Sequence, residues 1–236
     1  MRSVLSGAIR NHWTDQYNTC VLPIGRIVKD IRMNLMLGWL NQEFPALPMV
    51  LILRHPMAMA LSRVRLAAQG QVWWEPDMGL FLDQRDLVED YLHAHLSLLT
   101  ELKSPFEQQV ASWAIETHVA LSQFSGIAIH YEDLADRPSE VLPSVYKYLG
   151  WTFEGDAPSR TRRPSVMATA DSAVSRGQTE LVHNWSREVD GGTVRSTMRI
   201  LERFGLDALY GEDPRPKASS PWIIPPKDGA RNVTTR

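Results

Sequence analysis

Two cations at the predicted ends of short apolar runs, and a hydroxyl in the helix that follows one of them, have the chemistry of an anion site. Arg54 ends the apolar run 49–54 (MVLILR), Ser62 follows eight residues later, and Lys29 follows the apolar run 24–28 (IGRIV). A guanidinium binds phosphate oxygens two at a time, whereas an ammonium acts as a flexible point charge. A hydroxyl in the next helix adds a neutral hydrogen bond. We therefore expect Arg54 and Ser62 to share one anion and Lys29 to reach a second charge on the same ligand.

Each of these residues also has a structural interpretation. Arg54 is alternatively a surface arginine paired with an acid such as Asp133, and Lys29 a solvated lysine at a strand end. Tyr131, Glu132 and Asp133 follow another predicted strand. For the two carboxylates we favour a structural role, in which they orient the arginine or cap the next helix.

The elements that must position these side chains follow from hydrophobic periodicity. The continuous apolar run 49–54 predicts a strand buried on both faces, and 125–131 predicts a second strand. Run 24–28 is a weaker strand candidate. Periodicity and proline or glycine stops predict helices over 32–44, 56–69, 87–102, 105–123, 138–149 and 191–204. Residues 71–86 are expected to form a loop with exposed aromatic residues, and 152–180 an irregular, mobile stretch.

Short apolar strands that alternate with longer helices indicate an α/β fold with three layers, α/β/α, around a mainly parallel sheet. Ligands of such sheets bind beyond the carboxyl ends of the strands, where Arg54, Lys29 and Tyr131 are placed. We expect one domain over residues 1–212. Residues 213–236 form a proline-rich tail that we expect to be partly disordered.

Composition and missing motifs exclude several classes of function. With 236 residues, a net charge of −2 and a pI near 6.4, the chain has no basic field for nucleic acid. Its single cysteine, Cys20, cannot form an internal disulfide, and no apolar run reaches the length of a membrane helix. His93 and His95 are poorly spaced for a metal on a helix. We therefore expect a soluble, cytoplasmic protein without a metal or an integral membrane segment.

Four segments in order resemble the sulfotransferase family. The segment 50–65 (VLILRHPMAMALSRVR) resembles the family's 3′-phosphate-binding segment, in which a buried strand ends in Arg, Pro follows two places later and Ser eight places later. Arg54, Pro56 and Ser62 fit that pattern. Segment 29–50 is similar to the place where the family's lysine follows a strand, with the "FP" turn after it. Segment 127–151 is similar to the family's "YEDL" segment, and segment 182–205 to its C-terminal helix region that carries a Trp. Together the resemblance spans residues 24–210.

The resemblance implies a P-loop NTPase-like sulfotransferase fold and transfer of a sulfuryl group from 3′-phosphoadenosine 5′-phosphosulfate to a hydroxyl or amine. It places Arg54 and Ser62 on the 3′-phosphate of the donor and Lys29 near the reacting sulfate. Arg176 and Gly177 resemble a loop that covers the donor. The acceptor would be a small molecule or a glycan, and Arg63 and Arg65 would be surface cations.

The chain departs from the family pattern at two places. The 5′-phosphosulfate loop normally lies well upstream of the arginine, and the segment RSVLSGAIR near the start is too faint a match for Ser6, Gly7 or Arg10 to be assigned to it. We therefore expect an N-terminally shortened fold. Cytosolic members carry a catalytic histidine two places after the lysine, where this chain has Ile31.

Candidates for a general base are therefore His12, Asp30 and His55. Alternatives to an active sulfotransferase are an inactive, shortened relative that binds a nucleotide or a partner, and a nucleotide-kinase-like protein. The kinase alternative lacks the phosphate-binding motif GxxxxGK[ST]. The aromatic residues Trp73, Trp74 and Phe81 line an acceptor pocket in one interpretation and pack under a long loop in the other.

Overall fold

A computed structural model describes the chain over residues 2–12, 27–71, 75–153, 155 and 182–226. The chain forms two compact units, Met1–Asn34 and Leu35–Arg236. In the first unit, the short helix α1 (Arg2–Leu5) is followed by a turn at Gly7, whose φ of 75° is the left-handed conformation that glycine tolerates. Ile27 and Val28 are exposed and have no strand conformation, so the predicted strand is wrong for these residues; residues 24–26 lie outside the described ones.

The second unit contains the other helices of the described residues. They are α2 (Leu37–Glu43, after a 3-10 turn at Asn34–Met36), α3 (Pro56–Ala68), α4 (Gly79–Leu82), α5 (Arg85–Leu87), α6 (Leu96–Glu101), α7 (Pro105–Gln123), α8 (Tyr131–Asp136), α9 (Pro138–Tyr148) and α10 (Gly191–Arg203). A π turn at Val88–Leu92 and a 3-10 turn at His93–His95 join α5 to α6, and a further 3-10 turn is formed by Asn184–Arg187.

Four of the six predicted helices are confirmed closely, whereas 32–44 is α-helical only over Leu37–Glu43 and 87–102 only over Leu96–Glu101, after a π turn and a 3-10 turn. The predictions over 56–69, 105–123, 138–149 and 191–204 match α3, α7, α9 and α10 closely, because proline or an N-cap begins them. At α10 the cap is Asp190, whose carboxylate accepts the N–H groups of Gly192 (2.8 Å) and Thr193 (3.1 Å). The predicted loop at 71–86 contains helix α4, and α8 was not predicted, because both are very short.

The described sheet has three strands in the order β1–β2–β3: β1 (Val50–Leu53), β2 (Gly126–His130) and β3 (Trp222–Ile224). Strands β1 and β2 run parallel, with Leu53 opposite His130, and β3 runs antiparallel to β2. The fold is therefore α/β with a small mixed sheet. The two strands that carry the predicted site are confirmed, but Ile52 is 53% exposed, so β1 is not buried on both faces.

Strand β2 crosses the interior of the second unit with every residue buried. Ile127 and Ile129 on one of its faces pack against Val141 and Val145 of α9. The strand begins at Gly126, where an added Cβ would lie 2.6 Å from the backbone oxygen of Met49, so this close approach of β2 to the chain before β1 requires glycine.

The proline-rich segment after residue 212 contributes to this sheet. Strand β3 lies in it, and Ser220 before the strand binds Asp133 of α8 through its N–H (2.8 Å) and its hydroxyl (2.7 Å). Residues 227–236 lie outside the described residues. The domain boundary at 212 stays a prediction.

Candidate functional site

Arg54 and Tyr131 leave the sheet side by side. Because β1 and β2 are parallel and Leu53 pairs with His130, the next residues of both strands emerge at the same carboxyl edge. The guanidinium carbon of Arg54 lies 4.9 Å from the centre of the Tyr131 ring. Both side chains are half-buried, and among the described residues no acceptor binds the buried Nε–H of Arg54. This edge therefore presents a cation with an unused donor.

The two carboxylates after Tyr131 are engaged by other donors. Glu132 is 2% exposed; its Oε1 accepts the backbone N–H of His55 (2.8 Å) and its Oε2 accepts the hydroxyl of Tyr210 (3.0 Å). Asp133 accepts a hydrogen bond from Arg137 at 2.7 Å in addition to those from Ser220. The interpretation of Arg54 as the ion-pair partner of Asp133 is therefore wrong. Both carboxylates have structural hydrogen bonds, but their partners are neither Arg54 nor the N-terminus of the helix that follows, so the orienting and capping roles expected for them are wrong as well.

Burial of Glu132 has an electrostatic consequence. Desolvation raises the pKa of this carboxyl group, whereas its hydrogen bonds and the positive charge of Arg54 act in the opposite direction. Desolvation is the larger effect, so the pKa of Glu132 is raised, and Arg54 is one of the groups that favour the charged form. The Nε–H of Arg54 is itself buried, and no described residue accepts it.

His55 is fully buried (0% exposed) and caps helix α3. Its Nδ1 accepts the N–H of Met57 at 3.3 Å, which leaves the proton on Nε2, and this nitrogen donates to the carbonyl oxygen of Gly211 at 3.2 Å. The imidazole stacks on Trp185 with 4.4 Å between ring centres. Burial lowers the pKa of His55 to about 4. A fully buried imidazole whose Nδ1 lone pair already accepts the N–H of Met57 does not suit the role of general base considered for His55.

The same capping occupies the N-terminus of α3. The side chain of His55 already satisfies the N–H of Met57, and Pro56 has no N–H to offer. Pro56, Met57 and Ala58 are all buried. The N–H of Met57 is therefore not open to an anion, and the site proposed here is built from side chains.

His130 and Tyr210 join Glu132 and His55 in one buried network of hydrogen bonds. The Nδ1 of His130 lies 2.7 Å from the hydroxyl of Tyr210, which donates its proton to Glu132, so His130 donates from Nδ1. Burial lowers the pKa of His130 to about 4 and raises that of Tyr210 well above its usual value. Sequence reasoning missed this network because Tyr210 lies in a segment without a recognisable pattern.

Ser62 is half-buried in α3, about 9 Å along the helix axis from Pro56. An anion shared with Arg54 would have to lie along the helix rather than at its N-terminus. Of the two arginines read as surface cations, Arg65 pairs with Glu188, whereas Arg63 is half-buried and donates to Gln109 at 3.3 Å. Burial lowers the pKa of Arg63, so its description as a surface cation is wrong.

Lys29 is exposed in a part of the first unit without regular secondary structure. The other two base candidates also lie in this unit: His12 is exposed, and Asp30 accepts the N–H of Arg32 at 2.7 Å. Four predicted residues lie outside the described ones: Trp73, Trp74, Arg176 and Gly177. Phe81 is half-buried in α4.

Within the described ranges, no group of His, Cys, Asp or Glu side chains has the arrangement of a metal site. No helix in these ranges is both long enough and apolar enough to cross a membrane.

Comparisons with known proteins give one distant structural likeness. No family model matches the chain, and no curated protein matches it. A sulfotransferase domain from the curacin biosynthetic pathway superposes with a TM-score of 0.43 and 18% sequence identity, over 75% of this chain and 61% of that domain. The chain thus spans about three fifths of the domain it resembles. A likeness at this level does not assign the chain to a family.

Proposed function

We propose that this chain binds the 3′-phosphate of 3′-phosphoadenosine 5′-phosphosulfate at Arg54 and transfers its sulfuryl group to a hydroxyl or amine. The observation that carries the proposal is the position of Arg54: a guanidinium at the shared carboxyl edge of two parallel strands, with a buried donor that no described residue uses. The neighbouring carboxylates are bound to other donors, so they do not block it. The order of sequence segments resembling the sulfotransferase family supports the same ligand.

In the proposed reaction, an acceptor oxygen or nitrogen forms a bond to sulfur while the bond from sulfur to the 5′-phosphate oxygen breaks. The acceptor proton leaves to a base, and adenosine 3′,5′-bisphosphate is the second product. Arg54 and Ser62 would hold the 3′-phosphate, and Arg176 and Gly177 would cover the donor. Lys29 would stabilise the charge that develops on the leaving phosphate, so catalysis rests on positioning and charge stabilisation.

The proposal includes the sulfotransferase-type fold with three layers and a mainly parallel sheet, whereas the described strands form a small mixed sheet. It also includes a small molecule or a glycan as the acceptor, a location in the cytoplasm, and a reaction that uses no metal ion. The buried state of His55 leaves His12 and Asp30 as base candidates.

Calorimetric titration with adenosine 3′,5′-bisphosphate tests the binding step. Charge-assisted hydrogen bonds contribute about 1.5–3 kcal/mol each, so Arg54→Ala should weaken binding by about tenfold to a hundredfold. The matched control is Arg85→Ala, which removes an exposed arginine that pairs with Glu89 at 2.7 Å and should leave the affinity unchanged. Equal affinities of the wild-type protein and Arg54→Ala would exclude the assigned site.

Sulfate transfer from the donor to a panel of hydroxyl and amine acceptors tests the catalytic step. If Lys29 stabilises the leaving group, Lys29→Ala should lower turnover by about a hundredfold or more. Tight binding of the bisphosphate without any transfer would favour the alternative of an inactive relative that binds a nucleotide.

A further inference from the structure

We infer that Tyr131 is a positioning residue for Arg54: its ring supports the guanidinium and sets the direction in which this group meets an anion. The inference rests on the proposed function only for the identity of the natural ligand. The contact itself, 4.9 Å from the guanidinium carbon to the ring centre, lies within the distance at which a cation is attracted to an aromatic face.

Both partners of this contact sit on fixed backbone. Each is the first residue after its strand, and the strands are paired in register immediately before them, with Leu53 opposite His130. The residues that follow them are joined as well, because Glu132 accepts the N–H of His55 at 2.8 Å. The ring and the guanidinium are therefore held together from both sides of the contact.

A flexible arginine side chain loses much rotational freedom when it binds an anion, and this loss weakens binding. A guanidinium already held over a ring loses less freedom. The N–H donors of a guanidinium lie along the edge of its plane, where a phosphate or sulfate accepts two hydrogen bonds. The unused, buried Nε–H of Arg54 belongs to that edge.

Three variants separate positioning from packing. Tyr131→Leu removes the aromatic face, Tyr131→Phe keeps it, and Tyr146→Leu removes a half-buried tyrosine of α9 that contacts Trp151 and Phe153. We expect Tyr131→Leu to weaken binding of adenosine 3′,5′-bisphosphate by about twofold to thirtyfold, the range of a cation–π contact. Tyr131→Phe should restore most of the affinity. Tyr146→Leu should lower the melting temperature without changing the affinity.

A double-mutant cycle with Arg54→Ala shows through which residue Tyr131 acts. If the ring acts through the guanidinium, Tyr131→Leu should have no further effect in the Arg54→Ala background. Titration with inorganic sulfate, which has no base to stack, should show the same pattern. An effect of Tyr131→Leu that persists without Arg54, or that vanishes with sulfate, would mean direct contact with the ligand and would overturn the inference.

A measurement without any ligand keeps this inference separate from the proposed function. In ¹⁵N relaxation experiments the Nε–H of Arg54 should be ordered in the wild-type protein and in Tyr131→Phe, and more mobile in Tyr131→Leu. Equal order in all three proteins would refute positioning, whether or not the bisphosphate binds. Failure of the bisphosphate to bind, with the expected change in order, would refute the proposed donor alone.

Discussion

Lowering the pH should reduce the free energy of unfolding of this protein, because His55 is buried in its neutral form. The imidazole is fully buried and its pKa is lowered from 6.5 to about 4, first of all by desolvation. Below pH 6.5 the unfolded chain therefore binds a proton that the folded chain does not bind. The contribution of His55 to stability is complete above this pH, falls as the pH drops towards 4, and then levels off. At about 1.4 kcal/mol for each pKa unit, the loss is about 3 kcal/mol.

His55→Asn isolates this contribution, because asparagine also caps helices by accepting a backbone N–H but does not titrate. Urea unfolding of both proteins at several pH values between about 7 and 4 gives the free energies of unfolding. The advantage of the wild-type protein should shrink by about 3 kcal/mol over this range. His93→Asn, at an exposed histidine, controls for the substitution itself. Parallel pH profiles of the wild-type protein and His55→Asn would refute the account of a buried, neutral His55.

Two further substitutions test the hydrogen bonds under the sheet edge. Tyr210→Phe removes a hydroxyl that bridges Glu132 (3.0 Å) and His130 (2.7 Å). The free energy of unfolding, measured with urea, should fall by about 3 kcal/mol. A fall below about 1 kcal/mol would contradict this hydrogen-bond network. Ser220→Ala removes the hydroxyl that donates to Asp133 at 2.7 Å. The backbone amides of β3 should then exchange their hydrogens faster than in the wild-type protein. Unchanged protection of these amides would mean that this contact does not hold the strand.

The parts of the fold that follow local rules were predictable from the sequence. The run 49–54 gave strand β1 because four apolar residues stand between turn signals, and Pro105 marked the start of α7. The position of Arg54 followed from the end of that run. Its neighbour Tyr131 followed from the second strand, because parallel strands bring their carboxyl ends to one edge.

The buried network could not be predicted, because its partners are far apart in sequence. Glu132 meets His55 across 77 residues and Tyr210 across 78 residues. No periodicity reports such contacts, and a histidine before a proline reads as a turn residue rather than as a buried helix cap. Strand β3 was hidden for a similar reason: three residues among prolines form a strand only because β2 offers them an edge.

The most direct test of the central claim compares two nucleotides that differ only in the 3′-phosphate, adenosine 3′,5′-bisphosphate and adenosine 5′-phosphate. The wild-type protein should bind the bisphosphate at least about tenfold more tightly, because Arg54 holds the additional phosphate. Arg54→Ala should lose this preference and bind both nucleotides about equally. A preference that survives in Arg54→Ala, or that is missing in the wild-type protein, would contradict the assignment of Arg54 to the 3′-phosphate.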